Sequence, residues 1–172
     1  AIGPELVTTL RSKPVNGIFI VLSTHDLNER ADNTYLPCIY IRDLDPDATS
    51  SDRNADLLVE RAPASVVRQL GISTDKAWSP AIAYQPMGQD SFYKDSFQAA
   101  YEAEKKLQAD DYGRWTPKPY ILENDDRPAI AYTRPLMLAD GTVYGVVGVE
   151  LLTSYLETQL PSEELQSDSH GS

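Results

Sequence analysis

The chain is short of the residues that carry covalent and metal chemistry. Among its 172 residues there is one cysteine, Cys38, and there are two histidines, His25 and His170. A lone thiol excludes an internal disulfide. One cysteine and two distant histidines also fall short of the four nitrogen and sulfur ligands of a structural zinc site. There is no Gly-x-Ser-x-Gly elbow, no His-Glu-x-x-His and no phosphate loop, and Gly141 to Gly148 lacks the spacing of a dinucleotide fingerprint. No catalytic centre, metal site or cofactor is therefore expected, and the chain is not read as an enzyme. Basic residues are scarce too: 15 Lys and Arg stand against 26 Asp and Glu, a net charge of −11. That balance excludes nucleic acid, whose binding rests on neutralising phosphates, and disfavours adsorption to anionic lipid. No run approaches the roughly 20 apolar residues of a membrane-spanning helix, and no signal peptide is seen.

What is present fits a folded soluble domain. Apolar residues make up 41% of the chain and charged ones 24%, and a chain this long buries roughly 70% of its unfolded surface. Pro128 to Tyr155 organises the rest, as two strands joined by a turn and closed by a helix. Period-two alternation puts Ile130, Tyr132, Arg134 and Leu136 on one face of the first strand. Asp140-Gly141 supplies the turn. The second strand, Val143 to Leu151, is apolar apart from its glycines and Glu150. Gly145 and Gly148 clear space for close approach by backbone or ligand. Thr153-Ser154 is read as the cap of a short helix, Tyr155 to Gln159, stopped by Pro161.

Upstream, Pro4 to Arg11 reads as a helix with Leu6, Val7 and Leu10 on one side. Gly17 to Leu22 is a continuous apolar run, the mark of a strand buried on both faces. Pro37 to Leu44 is a second strand carrying Tyr40 and Arg42, and within it Cys38 is read as a small buried hydrophobe. The acidic loop Asp43 to Asp56 begins like a calcium loop. Ala48 and Asn54 then stand where glycine and glutamate belong, so the loop is read as solvated. Leu57 to Gly71 has helical composition interrupted by Pro63, and Trp78 to Tyr84 is a short strand or extended segment. Pro86-Met87-Gly88 marks a turn. Ser91 to Leu107 is the strongest helix, with Phe92, Tyr93, Phe97, Ala100 and Tyr101 in register. Trp115 to Tyr120 is a proline-rich extended segment, and Asp125-Asp126 reads as a solvated turn. The tail, residues 162–172, is polar and expected to be poorly ordered or to begin a further lobe.

Four stretches, LVTTLRSKPVNGIFIVLST, DSFYKDSF, WTPKPYI and GTVYGVVGVELLTSYL, follow one another in an order that resembles the Cache domains, the PAS-like extracytoplasmic sensor domains of bacterial receptors. The resemblance covers nearly the whole chain and implies one sensor domain over residues 1–161, the membrane-distal lobe of a two-lobed receptor. The fold implied is α+β: a twisted antiparallel sheet of about five strands, helices over one face and an N-terminal helix. It further implies an extracellular or periplasmic location, a membrane-anchored parent (histidine kinase, diguanylate cyclase or chemoreceptor), and a homodimer through the N-terminal helix as one arrangement. A small molecule would bind between sheet and helices. Carried over by position, the ligand-binding residues are Phe92, Tyr93, Trp115, Tyr120, Tyr132, Arg134 and Glu150. In such a pocket Arg134 would hold a carboxylate and Glu150 an ammonium or hydroxyl. Amino-acid-binding members carry Arg-x-Trp-Tyr at the helix start, an Asp after the Pro-Tyr tyrosine and an Asp on the last strand. Here Asp90-Ser-Phe-Tyr93, Leu122 and Glu150 stand instead, which turns the expectation toward an amine-bearing or neutral hydroxylated ligand. A lobe without a ligand and a free extracytoplasmic binding protein remain the alternatives.

Overall fold

The computed structural model describes residues 2–27, 35–48, 55–83, 91–105 and 107–160. The turn at Pro86-Met87-Gly88, much of the acidic loop, the stop at Pro161 and the tail lie outside them. The architecture is mixed α+β and PAS-like. Nine strands occur among the described residues: β1 (Gly17–Leu22), β2 (Tyr35–Leu36), β3 (Cys38–Asp43), β4 (Leu57–Arg61), β5 (Ser73–Ser79), β6 (Ile82–Ala83), β7 (Arg114–Trp115), β8 (Ala129–Met137) and β9 (Val143–Leu152). Seven of them form one sheet in the order β5-β4-β3-β1-β9-β8-β7, while β2 and β6 pair separately. Every pairing in the large sheet is antiparallel except β4 with β5. The expected strand Trp78 to Tyr84 is split between the end of β5 and β6, with Tyr84 outside the described residues. The other four expected strands form the block β3-β1-β9-β8. To it β7, at the start of the segment read as merely extended, adds at the β8 edge, and β4 and β5 extend the β3 edge.

That extension corrects the helical reading of Leu57 to Gly71. Leu57 and Val59 bury on one side with period two, and pairing with β3 makes the first part a strand. Sheet context overrides the helical composition. Only Ala64–Leu70 is helix (α2), entered after Pro63 and closed by Gly71 at φ 63°. It provides the crossover that parallel neighbours require.

Helices cover both faces of the sheet, not one. On the first face α1 (Ile2–Arg11) buries Leu6, Val7 and Leu10 over Ile18, Ile20, Ile41 and Val59. On the second face α3 (Lys94–Glu102) brings Phe97 and Ala100 against a core containing Phe19, Tyr40, Tyr120 and Val146. The central strand β1 is thus enclosed from both sides, which is why its sequence is uninterruptedly apolar. α3 is shorter than the expected Ser91 to Leu107. A 3-10 turn, Ser91–Tyr93, precedes it, and Ala103 takes up extended backbone and ends it. Just beyond, the Leu107 N–H donates to the Tyr112 hydroxyl of a second 3-10 turn, Ala109–Tyr112.

The hairpin of β8 and β9 forms as read, with Gly141 at φ 89° in its turn. Phe19 occupies the space that a side chain at Gly148 would need, and the Val21 carbonyl approaches Gly145. The final helix, α4, runs Thr153–Gln159 with Leu152 before it and no side-chain cap. Thr153 is inside the helix rather than capping it: its N–H donates to the Pro128 carbonyl at 2.9 Å. Cys38 is buried, and burial pushes its thiol well above the ordinary range.

Candidate functional site

Glu150 lies near the C-terminal end of β9, fully buried, on the face covered by α3. The register sets Gly17 of β1 opposite Glu150 on one side and Arg42 of β3 on the other. Two strand spacings, roughly 10 Å, separate Arg42 from Glu150, and their side chains close that span over Gly17. Arg42 Nε donates to Glu150 Oε1 at 2.5 Å and Nη2 to Oε2 at 3.1 Å, a two-point grip. The Tyr40 hydroxyl donates to Oε2 as well, and the Tyr120 hydroxyl reaches it at 3.0 Å. The two phenols are 2.7 Å apart, so Tyr120 can donate to either the carboxylate or Tyr40. Burial, followed by the neighbouring negative charge of Glu150, holds the Tyr40 phenol well above its ordinary pKa. Burial, then Tyr40 and Glu150, does the same for Tyr120.

The far side of Arg42 continues the network. Its Nη1 donates to Asp125 and lies 3.7 Å from Glu60 Oε1. Arg127 then joins three acids: Asp125 at 2.8 Å, Asp75 at 2.7 Å and Glu60 at 3.3 Å. Arg61 is directed elsewhere, to the carbonyl oxygens of Glu60, Ala77 and Glu123. Burial works against ionisation of Asp75, but the Ala77 N–H and Arg127 outweigh it, and the acid sits below its ordinary value. Asp125 is lowered too: burial opposes, and hydrogen bonds from Arg127 and attraction by Arg42 prevail. Asp125 is therefore no solvated turn residue; its carboxylate is enclosed, whereas Asp126 is exposed.

Aromatic rings wall the Glu150 end. Phe92 stacks on Tyr120 with centroids 4.4 Å apart and meets Phe19 edge-on at 4.9 Å and Tyr93 at 5.1 Å. Four of the seven residues expected at the site, Phe92, Tyr93, Tyr120 and Glu150, thus share one buried region. Trp115, Tyr132 and Arg134 do not join them. Ala131 of β8 stands opposite Glu150, and Arg134 stands opposite Val147. Directly paired residues share a face and successive residues alternate, so Arg134 and Glu150 project from opposite faces. Arg134 pairs with Asp110 at 2.5 Å, its side chain 47% exposed, and Trp115 is 56% exposed with its ring 5.4 Å from Tyr132. The guanidinium on Glu150 comes from Arg42, on a strand the sequence places far away.

Among the described residues, two cavities lie apart from this region. One of about 250 Å³ is apolar and sits on the α1 face against Ile2, Ile20, Leu22, Val66 and Leu136. The other, about 340 Å³, lies against Leu107 and the Met137 to Gly141 turn. Among the described residues no cluster of His, Cys, Asp or Glu is arranged to hold a metal ion, and no helix is long and apolar enough to cross a membrane.

No family model matches the sequence, and no curated protein matches it at a significant level. Among solved structures it is similar to the extracellular domain of soHK1S-Z6, a protein assigned as a histidine kinase. The identity is 16% and the TM-score 0.48, with 92% of this chain and 44% of that chain covered.

Proposed function

We propose that the chain is the extracytoplasmic sensor lobe of a membrane-anchored bacterial receptor, and that it takes a small polar ligand at the aromatic region around Glu150. The ordered Cache-like motifs and the PAS-like sheet support the sensor reading. The observation that carries the ligand site is the enclosed Glu150 carboxylate with two phenols and the Phe92–Tyr93 wall. Apolar walls with a few convergent polar groups are the usual make-up of a small-molecule site. The ligand would displace Arg42 from Glu150, which selects for an amine or a hydroxyl able to donate in its place. A receptor passes signal in proportion to the ligand's differential affinity for its two states. Exchange of the Arg42 contact for a ligand contact gives such a difference.

A second reading is favoured by the completeness of the Arg42–Glu150 grip: a lobe that binds no ligand and serves as rigid structure. Thermal-shift measurements on the whole chain with a broad set of amines and polyols separate the two. A compound at 100 times its dissociation constant adds about 2.7 kcal/mol of stability. The sensor reading expects at least one such shift, lost in Tyr93→Ala and Glu150→Gln. A flat response across the set leaves the structural lobe.

A further inference from the structure

The buried network contains more acid than base. Four carboxylates, those of Glu60, Asp75, Asp125 and Glu150, share the guanidinium groups of Arg42 and Arg127. Adding Arg61, which binds only carbonyls there, still leaves acid in excess. Enclosed charge that lacks a partner is expensive. The deficit is not spread evenly. Glu150 has both oxygens engaged, Asp125 receives Arg42 on one oxygen and Arg127 on the other, and Asp75 receives the Ala77 N–H and Arg127. Glu60 has only the outer reach of two guanidiniums, at 3.3 and 3.7 Å, both on Oε1. Its Oε2 is buried with no hydrogen-bond partner.

We infer that Glu60 is a proton-binding site, and that its protonation balances the network and fastens strand β5 and the turn at Asp125–Arg127 to the sheet. A carboxylic acid at this position would remove one enclosed negative charge. It would also leave Arg127 to Asp75 and Asp125, and Arg42 to Asp125 and Glu150. Every element packed around Glu60 contributes to the balance: Tyr40 and Arg42 from β3, Arg61 from its own strand, Asp75 from β5, Asp125 and Arg127 from the turn, Glu150 from β9 and Tyr120 beside it. Lys76 and Glu123 are exposed and lie outside the enclosure. Burial raises Glu60 from 4.5 to about 7; attraction by Arg42 and Arg127 is set against repulsion by Asp75 and Asp125. The Arg127 side chain, 24% exposed, is where the cluster meets water and where a proton can enter.

The sign follows from linkage. A carboxyl whose folded pKa is raised binds more protons in the folded state, so its contribution is complete below about 4.5 and is lost as pH rises through about 7. Glutamine copies the protonated form at all pH values. Urea unfolding of the whole chain across about pH 5 to 8 should therefore give similar stability for wild type and Glu60→Gln at the acid end. At the alkaline end the variant should be the more stable, its folded-to-unfolded ratio exceeding wild type by at least tenfold. Parallel curves, or a variant weaker at the alkaline end, would overturn the inference. Carbon-13 NMR titration of the side-chain carboxyls in the wild type gives an answer even if the variant fails to fold. One glutamate, assigned to Glu60, should titrate near neutrality, and a Glu60 that titrates with the ordinary glutamates would refute it. Neither readout depends on a small-molecule ligand, so the sensor reading and this one fail separately.

Discussion

The side chain of Glu150 lies in the place where Gly17 would carry a Cβ. The glycine leaves open the gap through which Arg42 and Glu150 reach each other across β1. Alanine at position 17 would meet the carboxyl group itself, so Gly17→Ala is expected to cost about 1–3 kcal/mol, the usual penalty of overpacking. The collision vanishes if Glu150 is also shortened. A double-mutant cycle with Glu150→Ala, followed by urea unfolding, should therefore show strong non-additivity, the pair costing less than the sum of its parts.

Truncation of the buried pair should be severe and truncation of the surface pair mild. Glu150→Ala removes the two-point grip on the enclosed Arg42, leaving its Nε and Nη2 hydrogens unpaired with only Asp125 and Glu60 near Nη1. It also takes an acceptor from the Tyr40 and Tyr120 hydroxyls, and should lower stability by about 3–5 kcal/mol. Arg134→Ala removes only an exposed bridge to Asp110 and should change it by less than about 1 kcal/mol. Equal losses from the two, measured by chemical denaturation, would contradict the opposite-face placement.

Much of the architecture was legible because it is written in local patterns. The hairpin around Gly141, the central apolar strand Gly17 to Leu22 and the aromatic character of Phe92 and Tyr93 each follow from neighbours along the chain. Period two also correctly separates Tyr132 and Arg134 from Ala131 and Thr133. Which of those faces Glu150 shares is fixed by the β8–β9 register, and that register depends on the turn and a bulge between Leu136 and Met137. Arg42 was visible as a charge two positions after Tyr40 in an apolar strand. Its partner was not, because the contact crosses β1 and joins residues 108 apart. Asp125 and Asp126 look alike in sequence; only the guanidiniums from β3 and the turn distinguish them. Leu57 to Arg61 carries a helical composition that strand pairing overrules.

A polar residue with no expected role also ties the sheet together. Asn16 is buried, accepts the Leu152 N–H on its side-chain oxygen at 2.9 Å and donates from its amide nitrogen to the Asp43 carbonyl at 3.3 Å. Asn16→Ala leaves a buried N–H unpaired and should cost about 1–3 kcal/mol. Faster amide exchange at Leu152 is the local signature to measure.

Acid should weaken the fold through Asp75 and Asp125. Both are held below their ordinary value of 3.8, so each contributes stability that is present above 3.8 and lost as pH falls through the lower folded value. Asp125→Asn should reduce stability near neutrality and flatten the acid limb of the profile. Urea midpoints collected from about pH 2 to 5 would reveal an unchanged limb if the carboxylate were not engaged.

The network has a kinetic corollary. Its bonds join positions 52, 67, 83 and 108 residues apart, so loop closure must bring distant segments together before any charge finds its counterion. Until then each ionised group keeps its hydration shell, so the dehydrated cluster is expected to close late, after the transition state for folding. Substitutions inside it would then hasten escape from the native state while leaving the refolding rate nearly untouched, making the cluster a latch on the lifetime of the folded molecule rather than a guide to reaching it.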